Sequence, residues 1–132
     1  MKALDVNLVA VLVSAVAAFV ISGAWYAVLG KQLAELSTAY AEPGRAAALT
    51  AGVELARNLL VAGVIAVIVS RANVAGIGPG VLLGIVLWIG FPVVLLAGSA
   101  FHERVPLALA AIHSGDWLLK LVVVSAILAR WR

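Results

Sequence analysis

Two stretches of the chain carry no charge at all, Val6–Leu29 and 81–101. Two more, 46–70 and 105–129, are as apolar but are interrupted by a few ionisable residues. Polar, turn-forming segments separate the four. At 1.5 Å per residue, the first run makes a helix about 36 Å long, enough to cross a hydrocarbon core of about 30 Å with some tilt. The pattern predicts an all-α fold, a four-helix transmembrane bundle in one domain, with spans near 6–29, 46–70, 81–101 and 105–129.

Within the spans, small residues mark close packing. Ala10, Ser14, Ala18 and Ser22 recur every four positions. Such a stripe lets helices approach closely in lipid. It predicts packing inside the bundle or, alternatively, a subunit interface. Gly80 and Gly84 form a GxxxG pair of the same kind. Trp25 and Tyr26 sit near the end of the first run, where interfacial aromatics collect. Lys31–Tyr40 reads as a short interfacial helix before a turn at Pro43-Gly44. Pro92 falls near the middle of the third run. It removes one backbone donor and leaves the Trp88 carbonyl without its usual partner, so a kink is expected there. Pro106 is expected just inside the fourth helix, where proline is tolerated.

Composition agrees with the pattern. The 132 residues are 65% hydrophobic and 11% charged. Soluble domains carry roughly 45–50% apolar and about 25% charged residues. There is no cysteine, which excludes disulfides, thiolate metal sites and thiol catalysis. The formal charge of +3 is spread along the chain and forms no basic stripe, so headgroup anchoring is expected and nucleic acid is not. The first run exceeds the 7–15 apolar residues of a signal peptide and reads as a retained span. Four spans put both termini on one side, together with Lys2, Arg71, Arg130 and Arg132. The other side holds Lys31, Arg45 and Arg104. The positive-inside rule then places the termini in the cytoplasm, in a bacterial cytoplasmic membrane.

Five ionisable residues lie inside the spans: Glu54, Arg57, His113, Asp116 and Lys120. Each charge at mid-bilayer costs roughly 2.5–3.5 kcal/mol on insertion scales, so the four formal charges cost on the order of 10 kcal/mol before pairing. They are expected to face the bundle interior or a wet cavity. Glu54 and Arg57 are three apart with Asn58 beside them. His113, Asp116 and Lys120 follow i, i+3, i+7 and share one stripe. Counted from the helix starts, Glu54 and His113 both lie about 12 Å deep, and Arg57 and Asp116 about 16 Å. With His113 neutral the charges cancel. The sequence therefore predicts one network joining the second and fourth helices. Arg57 is expected on Asp116, and Glu54 near His113 or Lys120. This network is either a structural device fixing helix register or part of a transport or proton pathway. Two other readings are weaker. Ser114 and His113 are neighbours on a helix and do not face each other as nucleophile and base. Glu54, His113 and Asp116 have acceptable ligand types but no metal-binding spacing. Neither a cofactor, a metal nor a catalytic constellation is expected. The glycines do not form a phosphate-cradling loop.

Several motifs carry a resemblance. Ser22-Gly23-Ala24-Trp25-Tyr26 with Gly30-Lys31, then Leu87-Trp88-Ile89-Gly90-Phe91, Phe101-His102-Glu103 and His113-Ser114-Gly115-Asp116-Trp117-Leu118 run over nearly the whole chain. Together they resemble the bacterial domain-of-unknown-function family 1761. Ala27-Val28 stands where members commonly read Ser-Pro, and His113 where many carry Asn. The resemblance implies a small four-helix membrane protein and brings no activity with it. The residues themselves lean toward a small homo-oligomeric transporter or channel. The alternative is an accessory subunit that packs into a larger membrane complex. A membrane-embedded enzyme acting on a lipid or quinone stands third.

Overall fold

Asn7 starts the first helix. Its side-chain oxygen accepts from the backbone N–H groups of Val9 and Ala10 at 3.0 and 3.2 Å, satisfying donors that have no intrahelical partner. The computed structural model describes residues 4–132, and these form helices and connecting turns without a strand. The helices are α1 (Leu8–Val28), α2 (Gly30–Leu36), α3 (Thr38–Ala41), α4 (Ala47–Arg71), α5 (Ile77–Gly90), α6 (Pro92–His102) and α7 (Leu107–Arg130). Four stretches are long and apolar enough to cross a membrane: Leu8–Val28, Ala47–Arg71, Ile77–His102 and Leu107–Arg130. The chain is an all-α, four-helix transmembrane bundle and a multi-pass membrane protein.

The third stretch is divided at Phe91, whose φ of −120° and ψ of −76° leave the helical region. Pro92 has no N–H to give the Trp88 carbonyl. The backbone ladder closes on either side, with Phe91 N donating to Leu87 O and Leu95 N to Phe91 O. Three local boundaries differ from the sequence reading. The third span begins at Ile77 rather than Val81, because the turn is made before it, with Asn73 at φ 53° and Gly76 at φ 97°, and Pro79 fits the first helical turn. The segment 31–40 is not one helix. Extended Ser37 breaks it, and its Oγ accepts from Ala39 N. Pro106 stands immediately before the fourth span rather than inside it.

Helix α7 is the hub, packing against α1, α4, α5 and α6. Its contact with α5 is backbone on backbone. A Cβ at Gly84 would sit 2.6 Å from Val122 Cα, and one at Gly80 2.7 Å from the Ser125 carbonyl oxygen. The α1 stripe Ala10, Ser14, Ala18 and Ser22 is buried within the single chain, which removes the subunit-interface reading of that stripe. Small residues dominate the core on the terminal side, with Ala10, Ala15, Ala62 and Ala66 against Val124 and Leu128. Helix α4 packs on α1 and α7 but not to any extent on α5 or α6. The bundle therefore stays open between α4 and α6.

Gly84→Ala is expected to destabilise by about 1–3 kcal/mol, because backbone cannot move aside for the added methyl. Gly63→Ala, whose Cβ would meet nothing within 4 Å, should leave stability unchanged or raised. Thermal unfolding of the two variants in detergent checks the contrast.

Candidate functional site

Asp116 is almost fully buried in the first half of α7, at 2% exposure. Each of its oxygens has a partner. Ser22 Oγ on α1 donates to Oδ1 at 2.6 Å, and Lys120 Nζ lies 3.0 Å from Oδ2. Lys120 reaches back one turn, as helical side chains do, and its ammonium sits 4.1 Å from the centre of the Trp117 ring. A buried carboxylate and a buried ammonium thus neutralise each other within one helix, and a neighbouring helix contributes a hydroxyl.

Three more contacts fasten α7 at this level. Tyr26 Oη and His113 Nδ1 are in hydrogen-bond contact at 2.6 Å. Trp25 Nε1 donates to the Ile112 carbonyl at 2.9 Å, and the absence of a side chain at Gly115 leaves room for its ring. From the opposite side, Trp88 Nε1 donates to the Ser114 carbonyl at 2.8 Å. Trp25 and Tyr26, expected as headgroup anchors, instead turn their polar ends onto α7. The arc at the end of α1 brings Tyr40 of α3 over the same place. Its ring stacks on Tyr26 at 6.4 Å and lies 6.2 Å from His113. Burial raises the Tyr40 phenol above its ordinary range, followed in effect by the Glu54 carboxylate.

Glu54 and Arg57 form a pair of their own, 2.5 Å apart and separated by one turn of α4. Arg57 is over half exposed, Glu54 about a third. The expected Arg57–Asp116 ion pair does not form. Arg57 is taken by the acid on its own helix, and Asp116 is enclosed by α1 and its own Lys120. Glu54 likewise has Arg57 as its ion-pair partner, not Lys120. Among the described residues no group of three acids or histidines gathers as a metal site. Asn58 is buried with its Nδ2 lacking a hydrogen-bond partner, and it does not join the charged groups around the crevice.

Both pairs nevertheless line one space. A crevice of about 810 Å³ opens between α1, α4, α6 and α7, beneath Tyr40, on the side away from the termini. Glu54, Arg57, His113, Asp116 and Lys120 all border it, as do Arg45, Tyr26 and Ser22. Depth counting along α4 and α7 expected the charges at one level, and the structure brings them to the border of one crevice. It could not say whether each would pair across the gap or along its own helix. Ser22, Tyr26 and Tyr40 were not among the site residues expected from charge, since none is ionised at neutral pH.

The geometry defines a class: a multi-pass α-helical membrane protein with a polar crevice entered from one face. The family model described as protein of unknown function (DUF1761) matches residues 9–129, and the chain belongs to that family. No curated protein and no solved structure matches the chain. Three of the motifs that suggested this family meet in space: Ser22, Trp25 and Tyr26 of the first and Trp88 of the second contact the segment 112–116 at the last.

Lys120→Met leaves Asp116 buried without its counter-charge and is expected to cost roughly 3–5 kcal/mol. Lys120→Met combined with Asp116→Asn removes both charges and should recover most of that loss. Thermal unfolding of both variants in detergent measures the difference, and equal losses would mean the pair is not coupled.

Proposed function

We propose that this protein is a small carrier that binds a polar solute in the crevice and moves it across the membrane. The observation that supports this reading is the crevice itself. It is large, opens to one side, and ends on the buried Asp116–Lys120 pair at membrane depth. Intramembrane charges commonly mark solute and ion pathways. The closely packed small-residue core under the crevice favours a carrier closed on one side over a standing pore. Four helices enclose little space, so the working unit in this proposal is a homo-oligomer, most simply a two-fold dimer.

In the proposed setting, a bacterial cytoplasmic membrane with the termini inside, the crevice opens away from the cytoplasm. Glu54, Arg57 and Arg45 stand at its mouth and select by charge. Asp116 and Lys120 form its floor, where an incoming solute exchanges hydrogen bonds with the existing pair.

Flux measurements on proteoliposomes test this. Wild-type protein is expected to move at least one member of a panel of inorganic ions and small organic acids, amines and zwitterions. Asp116→Asn combined with Lys120→Met removes the charged floor without leaving either partner unpaired, and should lower that flux about tenfold, as expected for loss of a charged contact. Wild-type vesicles that match empty liposomes across the panel would overturn the proposal.

A further inference from the structure

The crevice continues past its charges. On its α4–α6 side it runs into a second groove of about 480 Å³ whose lining is almost wholly apolar. Leu96 and Trp117 border both spaces, so the two share a wall. Chain order gives the direction. Along α4 the polar lining reaches Arg57 and the apolar lining starts at Leu60, about one turn deeper. Along α7 it passes from Asp116 and Lys120 to Leu121, and along α6, which runs the other way, from Leu96 to Leu95 and Phe91. Arg45 at the mouth, the charged pairs below it and apolar groups deeper still follow the order of a lipid molecule. Leu60 and Leu95 are each 70% exposed, so the groove faces the bilayer sideways, where α4 and α6 fail to meet.

We propose that crevice and groove together hold one amphiphile with an anionic head and a single hydrocarbon chain. This rests on the crevice being a binding site and does not require transport. Head charge follows from the lining. Glu54 and Asp116 are each matched by a base, and with His113 neutral the cation left over is Arg45, exposed at the mouth and without an ion pair among the described residues. A carboxylate, sulfonate or phosphate monoester fits that excess. Chain number follows from the layout. One apolar groove of about 480 Å³ adjoins the crevice along a shared wall, so one hydrocarbon chain lies beside one head. A chain lying there covers Leu60, Val64, Phe91 and Leu95, which the bundle leaves exposed.

The test uses the full chain in phosphatidylcholine liposomes with a palmitic acid analogue carrying a photoreactive diazirine in mid-chain. After irradiation, adducts are mapped by mass spectrometry. Label is expected on Leu60, Val64 and Leu95, about tenfold above the lipid-facing α1 positions Leu12, Val16 and Val20, the contrast of one well-made contact. Excess palmitate should displace it, and excess hexadecane, which has no head, should not. Leu95→Trp and Val64→Trp each fill the groove and should abolish the labelling. Arg45→Glu should weaken it about tenfold. Val16→Trp, on the outer face of α1, serves as the control that leaves it intact. Even labelling of every lipid-facing surface would identify ordinary surrounding lipid and overturn the proposal. So would disulfide capture of two copies through Leu95→Cys with loss of label, which would make the groove a contact between subunits. Intact labelling without flux would discard transport and keep this site, whereas flux with even labelling would do the reverse.

Discussion

Helix α7 can stand at the centre of the bundle because α5 presents glycine at the points of closest approach. With Gly80 and Gly84 in contact, the backbones approach to the limit set by their own atoms. That closeness matters in lipid, where burying apolar surface between helices gives little advantage over leaving it against acyl chains. Dispersion contacts and hydrogen bonds must hold the bundle instead, and both need short distances. Two indole N–H groups supply such bonds, from α1 at Ile112 and from α5 at Ser114. Once α7 is held from both sides, its polar stripe is shielded from lipid on the flanks and faces the gap toward α4.

The charges then fall into two groups with different physics. Asp116 and Lys120 are protein-enclosed, and their balance with the low-dielectric surroundings depends on staying together. Glu54 and Arg57 line the same crevice without that enclosure. An exposed pair of this kind contributes little to stability, with typical values of about 0–1 kcal/mol, and its members can exchange partners at small cost. One pair is therefore fixed structure with a face on the crevice, and the other is adjustable lining.

Much of this was legible in the residues. Long apolar runs pointed to four spanning helices, the glycine pair to close packing, and residue spacing to the ionisable groups that border one crevice. The partner assignments were not legible. Depth and face constrain a side chain to a level and a direction. Whether Arg57 reaches Asp116 or turns to Glu54 depends on the gap between helices, which comes from packing of residues far apart in sequence. The uncharged partners were hidden for a different reason. Ser22 looked like one more small residue in a stripe, and Trp25 and Tyr26 looked like headgroup anchors, because composition at a helix end cannot tell a ring facing lipid from one facing a neighbouring carbonyl. The family motifs included both Ser22-Gly23-Ala24-Trp25-Tyr26 and His113-Ser114-Gly115-Asp116, but nothing in them said that the two segments meet.

The Ser22–Asp116 bond joins residues 94 positions apart, in the first and last helices of the bundle. During synthesis the serine enters the membrane long before the aspartate exists. Lys120 changes what that delay means. Because it lies four residues after Asp116 on the same helix, the two charges can neutralise each other inside α7 as soon as that segment coils, before any neighbour is present. The last helix can thus leave the insertion machinery carrying no net charge from this pair and search for its place as a nearly neutral rod. The serine hydroxyl and the two indoles then act as a final latch, formed only when the earliest and latest parts of the chain have found each other.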